Sequence, residues 1–260
     1  TTLFRSPPPS EQYFGFYHPW GGVLSPRDAN LAVTTAFKNK GGQVILGNAM
    51  PGARAGSKLQ TVTLSSGETV SAGSFVFAVG AWLPRVFPGV MKDKLSVRKA
   101  GYYMFGTPPG DTRFSVPNLP NTGLGLPSIN GAGFGLLINP THAVDPDSFE
   151  HLPDAEEQAQ ARQTVATRFP ALKDQPIIAA WTCQTENSVD AQCIFDPHPQ
   201  MNNVWLVGGG SWHAFKIGPV IGDYVAHRVV GEEKGLPEAN LSGADLSEIF
   251  RLKPETFATG

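Results

Sequence analysis

Residues 204–231, "VWLVGGGSWHAFKIGPVIGDYVAHRVVG", constrain the fold more than any other stretch of the chain. A buried-strand run meets consecutive glycines, and an amphipathic helix starts near Pro219. Strand, glycine turn and helix in that order outline a nucleotide-binding corner. A phosphate loop, however, needs G-x-G-x-x-G with the helix N-terminus directly behind it. Gly208 and Gly210 fit the first two places, but His213 stands at the third. The helix also begins several residues too late to aim its first amides at a phosphate beside Gly208. This is not the first βα turn of a Rossmann unit. On pattern alone it is either a ligand-holding turn of another kind or a glycine-rich connection without a ligand.

The same α/β texture opens the chain. In "PWGGVLSPRDANLAVTTAFKNKGGQVILG", Ser25 can cap a helix with Pro26 at its first position and Asp28 in its first turn. Ala29, Ala32, Val33, Ala36 and Phe37 then share one helical face, Gly41-Gly42 ends it, and "QVIL" (43–46) is expected as a strand. Residues 58–72 alternate and turn at Ser66-Gly67, a hairpin pattern. "SFVFAVGAW" (74–82) reads as a strand buried on both faces that runs into a turn at Gly80. From about residue 95 the texture changes. "LSVRKAGYYMFGTP" and "GLGLPSINGAGFGLLIN" are long strand-like stretches rich in glycine. A polar helix over 153–169 and the strand "PIIAAWTCQT" follow, so a sheet with one covering helix is expected here.

Composition excludes several classes. A net charge of -2 gives no basic footprint for nucleic acid and no polybasic membrane patch. There is no apolar run near 18 residues and no charged-then-apolar leader, so no membrane span or signal peptide is visible. Two cysteines, Cys183 and Cys193, make neither a disulfide framework nor a zinc pattern. A reducing, cytoplasmic setting is the default expectation.

"GGGSWHAFKIGPVIGDYVA" resembles the C-terminal flavin-clamping segment of the D-amino-acid-oxidase-like (DAO) flavoproteins. The nearest branch is that of sarcosine, pipecolate and fructosyl-amino-acid oxidases, where the stretch runs G-x-S-G-H-G-F-K before a helix. Ser211, His213, Phe215 and Lys216 match, while Trp212 and Ala214 stand where that branch has glycine. "CIFDPHPQMNNVWLV" resembles its Asp-x-His-Pro element through Asp196, His198 and Pro199. "GGVLSPRDANLAVTTAFKNKGGQV" and "FVFAVGAW" resemble two further blocks, in the family's order.

The resemblance implies FAD as cofactor and a small amine or amino-acid substrate. It places Gly80, Trp82, Gly209, Gly210, Ser211, Trp212, His213, Ala214 and Lys216 around the cofactor. Reduced flavin carries negative charge, and a helix N-terminus with a nearby cation stabilises it. Lys216 is further implied in holding a substrate carboxylate; read without the family it is a solvated lysine, and His213 a hydrogen-bonded structural histidine. Cys183, 13 residues before Asp196, sits at the offset of the family's cysteine thioether-linked to the flavin. The plain alternative is a small buried thiol, which is the reading kept for Cys193.

Departures from the family pattern carry information too. An ungapped match puts Gly135 where the branch has an oxygen-activating lysine and Asn139 where it has a pocket histidine. Leu124 and Thr185 replace pocket aromatics. These changes imply a dehydrogenase passing electrons to another acceptor, or an altered substrate. The family's N-terminal phosphate-loop unit has no counterpart before residue 20. The start, "TTLFRSPPPS", lacks Met, and Thr-Thr-Leu-Phe-Arg-Ser is also the translation of ACG ACG CTC TTC CGA TCT, the end of a sequencing adapter; the expectation is a gene cut off upstream.

The expected architecture is α/β plus α+β: the remainder of a Rossmann-like FAD-binding domain over 12–94 and 188–260, with an inserted antiparallel substrate domain over 95–187. The expected activity is hydride transfer from a secondary amine or amino-acid-like substrate to flavin, with Lys216, Asn139 and Thr185 at the reacting centre. The alternatives are a non-catalytic binding or scaffold protein of the same fold, and a flavoenzyme for a non-amine substrate. Neither a metal nor a nucleic-acid partner is expected.

Overall fold

The computed structural model describes residues 22–115, 125–212 and 214–231, with the side chains of 139–141 set aside. In chain order they form α1 (Pro26–Asn39), β1 (Ala49–Pro51), β2 (Arg54–Ala55), β3 (Lys58–Leu59), β4 (Thr61–Leu64), β5 (Thr69–Ser71) and β6 (Phe75–Phe77). There follow α2 (Leu83–Val86), α3 (Pro88–Met91), β7 (Leu95–Phe105), β8 (Gly125–Leu126), β9 (Phe134–Ala143) and α4 (Ala155–Arg168). The last elements are β10 (Ile177–Ser188), β11 (Ile194–His198), β12 (Met201–Gly208) and α5 (Gly218–Val230). Packing divides the described chain into two compact units: Arg98–Gln184 in one, Pro26–Val97 with the residues from Thr185 onward in the other.

In the second of these units β12 is the central strand of the sheet β11-β12-β6, antiparallel to β11 and parallel to β6. Its alternation sets the layers. Val204 and Leu206, fully buried, enter a core with Phe75, Phe77, Leu83 and Leu95. Val207 packs on the opposite side with Tyr224 and Val225 of α5, and Arg228 of α5 lies 5.6 Å over the Trp205 ring. A strand covered on both faces must be apolar at every position, which is why "VWLV" reads as a continuous run.

Three expectations for this unit change. β6 is shorter than 74–82 and buried on one face only: Phe75 and Phe77 are inside, while Val76, on the other face, is 45% exposed. Residues 43–46 form no strand; Val44, Ile45 and Leu46 are exposed and pair with no strand among the described residues. Helix α1 forms with Asp28 in its first turn, but it has no buried residue, and Leu31, Val33 and Phe37 are at least half exposed. An amphipathic stripe needs an apolar partner to be buried, and the described residues supply none. The hairpin β4–β5 forms, with its turn at Gly67 at φ 86°.

The other unit carries the sheet β10-β7-β9-β8, whose β7–β9 and β8–β9 pairs are antiparallel. The stretch over 123–139 is not one strand but a hairpin, β8 and β9, interrupted between them. Helix α4 covers the sheet, packing Ala161 and Val165 against Tyr103, Phe105, Phe134 and Leu136. Its N-terminus is closed by a capping box: Asp154 accepts from the Glu157 amide, and Glu157 Oε2 accepts from the Asp154 amide, both at 2.8 Å. The same Glu157 oxygen meets Lys99 Nζ of β7 at 2.8 Å, so one carboxylate caps the helix and docks it to the sheet. Asp154→Ala should cost about 1 kcal/mol, the usual value of an N-cap. Glu157→Ala should cost more, since it also removes the Lys99 pair. Thermal melts of both variants check this; equal losses would show that the pair adds nothing.

Candidate functional site

β6 and β12 run side by side in the same direction, so their C-terminal ends lie at one edge of the sheet. Open α/β sheets bind ligands in the crevice outside the carboxyl ends of parallel strands. β6 leads to Gly80, at φ 54°, and a 3-10 turn through Trp82, in which Ala81 is buried and Trp82 is 37% exposed. β12 leads to the glycine turn. The fold therefore brings Gly80, Trp82 and the 209–214 turn to one edge, while His213 itself lies outside the described residues.

The turn is strained and tightly held. Gly209 has φ 71°, and a Cβ added to it would lie 2.9 Å from the Gln192 carbonyl oxygen. Ser211 and Trp212 follow at φ 42° and 72°, conformations that cost a non-glycine residue roughly 1–2 kcal/mol each. What holds them is the end of β10. The Ser211 amide donates to the Glu186 carbonyl at 3.1 Å, and the Gly210 amide to Glu186 Oε1 at 3.2 Å. The Ser188 amide donates to Ser211 Oγ at 3.1 Å, and that hydroxyl lies 3.0 Å from the Gly209 carbonyl oxygen.

Glu186 is the residue that the motif reading passes over. Its only mark in the sequence is that it is the single charged residue of "IIAAWTCQTENS". Burial pushes its carboxyl above the usual carboxylate range, against the opposing pull of the Gly210 and Gly209 amides. Its second oxygen, Oε2, is buried without a hydrogen-bond partner. The Gly210 and Ser211 amides are thus engaged by Glu186. The turn still offers the Trp212 indole Nε1–H, also buried without a partner. Ala214 packs toward the α5 core. Lys216 is exposed in the 3-10 turn Phe215–Ile217, directly before α5 starts at Gly218. Thr185 is half-buried, with its hydroxyl 3.0 Å from Asn187 Nδ2.

In the other unit, the sheet face opposite α4 gathers a second group. Trp181 and Cys183 alternate onto it from β10, and Trp181 stacks on Tyr102 of β7 with centroids 4.3 Å apart and planes at 24°. Gly135 on β9 lies beneath Tyr102: a Cβ there would come within 2.8 Å of the tyrosine hydroxyl. Asn139 sits farther along β9, its side chain outside the described set. Leu124 lies outside the described residues. Cys183 is exposed, and desolvation raises its thiol above the usual range; that favours the thiol over the thiolate that a linkage needs. Cys193 is buried, and its thiol is raised by burial and then by the Glu186 charge.

His198 serves its own turn: its Nδ1 accepts from the Gln200 amide at 3.1 Å, and its ring lies 5.3 Å from Phe87. A cavity lined by Lys94, His198 and Trp205 opens beside it, toward the end of β12 opposite the glycine turn. Among the described residues no His/Cys/Asp/Glu group could hold a metal, and no helix is long and apolar enough to cross a membrane.

The sequence matches the family described as "DAO: FAD dependent oxidoreductase" over residues 3–228. It is 38% identical over 73 residues to L-saccharopine oxidase of Schizosaccharomyces pombe, covering 28% of this chain and 17% of that protein. To the peroxisomal sarcosine oxidase of Mus musculus it is 26% identical over 219 residues, 78% of this chain and 55% of that one. The chain thus spans less than two thirds of the curated relatives it matches. In three dimensions it is similar to fructosamine oxidase (Amadoriase II) from Aspergillus fumigatus, with a TM-score of 0.73 at 17% identity, over 89% of this chain and 58% of that one. At that identity the likeness establishes the fold.

Gly209→Ala should test the turn directly. Combining φ 71° with the clash at Gln192, it should destabilise the protein by about 1–3 kcal/mol, read as a lower Tm. An unchanged Tm would show that the turn relaxes freely.

Proposed function

The chain belongs to the FAD dependent oxidoreductase (DAO) family, and on that premise we propose that it oxidises the C–N bond of a secondary amine or amino-acid-like substrate by hydride transfer to FAD. Residues 12–94 and 188–260 are read as the FAD-binding part and 95–187 as the substrate part. The observation that carries this reading is the strained turn at the shared C-terminal edge of β6 and β12. The buried Trp212 indole N–H, without a partner, fits a ligand bearing acceptor oxygens or nitrogens. The start of α5, with Lys216 just before it, adds the positive end of a helix and a cation, suited to an electron-rich ring or a carboxylate. FAD, when bound, supplies the hydride acceptor.

The chain's own residues have positioning to do. A neutral amine needs no strong base to give up hydride, only a fixed approach. The stacked Tyr102–Trp181 pair offers a flat apolar wall, and Cys183 lies on the same sheet face. The family resemblance ties oxygen use to a lysine at position 135. Here the Tyr102 hydroxyl occupies that space, which supports an electron acceptor other than oxygen. The engaged Gly210 and Ser211 amides favour a second reading, a protein that binds flavin or a related ligand without turnover. Names of the curated relatives, saccharopine and sarcosine oxidases, support the amine reading.

The test uses flavin itself. If Cys183 is linked to FAD, acid precipitation of the protein should leave the yellow colour in the pellet. Cys183→Ser should release it to the supernatant, and Cys193→Ser should not. Adding secondary amino acids anaerobically should bleach the flavin. Flavin fully released by acid from the unmodified protein would remove Cys183 from the cofactor site. Bleaching by no amine would favour the binding reading.

A further inference from the structure

Glu186 is the group in the molecule whose placement is hardest to explain by packing alone. Its carboxyl is buried under the glycine turn, with one oxygen on the Gly210 amide and the other without a partner. A Cβ on Gly208 would come within 3.1 Å of that second oxygen and 2.7 Å of Leu83 Cδ2, so the turn closes directly over the acid. Its backbone carbonyl takes the Ser211 amide at 3.1 Å, in the middle of the residues with left-handed φ.

We propose that Glu186 is the positioning residue of this turn: its carboxyl and carbonyl together hold Gly208–Trp212 in the strained shape that presents the Trp212 indole to the cofactor. The cofactor part rests on the flavoprotein reading above; the hold on the turn does not.

The groups around the carboxyl decide its charge state. Cys193, directly before β11, brings a thiol that is raised partly by the Glu186 charge. The turn presents the Gly209 and Gly210 amides, and the start of α2 presents Leu83. None of these brings a positive charge, and a carboxyl closed off with two amides and a thiol is better accommodated as the neutral acid. Its raised affinity for the proton gives a definite sign. An acid favoured as neutral in the folded state leaves stability intact below its unfolded value, roughly 4.3. Stability is then lost as pH rises from there through the higher folded value, and levels off above it.

Glu186→Gln keeps an acceptor for the Gly210 amide and removes the proton. The difference in Tm between the protein and Glu186→Gln should therefore change with pH across that window, with the unmodified protein losing ground as pH rises. Glu186→Ala should speed hydrogen exchange at the Gly209 and Gly210 amides, on the order of tenfold, and Glu186→Gln should restore protection. FAD added to the full chain and followed by fluorescence should bind more weakly to Glu186→Ala than to Glu186→Gln. A Tm difference that does not vary with pH would overturn the proposal, as would unchanged exchange at Gly209 and Gly210 in Glu186→Ala. If Glu186→Ala does not fold, the pH series with Glu186→Gln still decides. If FAD binds to none of the proteins while the Tm difference follows pH as expected, the flavoprotein reading fails and the hold of Glu186 on the turn stands.

Discussion

The parallel pairing of β12 with β6 is the contact on which the candidate site depends. Val204, Trp205 and Leu206 stand opposite Phe75, Val76 and Phe77, and this register delivers both strand ends to one edge of the sheet. A parallel pair cannot be closed by a tight turn; it needs a long crossover, here everything between β6 and β12. The pairing therefore joins segments far apart in sequence, and burial holds it together. Val204 and Leu206 fill one core, and β12's other face packs on α5. Each fully buried aliphatic side chain contributes about 1.5–3 kcal/mol relative to exposure. Antiparallel β11 adds the third strand, and with it the strand edge becomes rigid enough to carry a turn that no local preference would form.

That turn illustrates how strain is maintained. Ser211 and Trp212 in left-handed conformations cost roughly 2–4 kcal/mol together. The bonds from Glu186 and Ser188 contribute on the order of 1 kcal/mol apiece. The surrounding structure over-determines the turn, which is the usual setting in which backbone strain persists at functional positions. In the structure the Gly210 and Ser211 amides are engaged by Glu186, and the Trp212 indole N–H is buried without a partner. Trp212 and Ala214, which stand where the resembled branch has glycines, both lie in this turn.

Local periodicity and long-range supply were legible to different degrees in the sequence. Elements whose pattern is complete within themselves could be read: α4 from the polar stretch 153–169, the β4–β5 hairpin with Gly67, and α5 beginning beside Pro219. Failures came where burial depends on what stands alongside. The run 74–82 has the composition of a strand covered twice, but one face of β6 is left open at Val76. Residues 43–46 have strand composition and no strand to pair with among the described residues. Glu186 was illegible for a sharper reason. An acid in a strand reads as a solvent-facing residue, and only the return of the chain more than 20 positions later, at Gly210, makes it a buried one.

The same logic bears on Gly135. Read along the chain, a glycine in place of a lysine is a loss: a cation deleted from a catalytic pattern. Across the sheet it is a close contact, because a Cβ there would lie 2.8 Å from the Tyr102 hydroxyl, and Trp181 stacks on the tyrosine ring. A side chain at 135 would meet the Tyr102 hydroxyl, the far end of the tyrosine, which would have to shift to admit it. The two positions therefore form one unit, a small residue on β9 and an aromatic one on β7, and a substitution at either should be judged with the other. A hydroxyl differs from an ammonium in carrying no charge and in accepting as well as donating a hydrogen bond. On this face of the sheet position 135 carries no cation, and the stacked Tyr102–Trp181 pair presents aromatic surface with one hydroxyl beside Gly135.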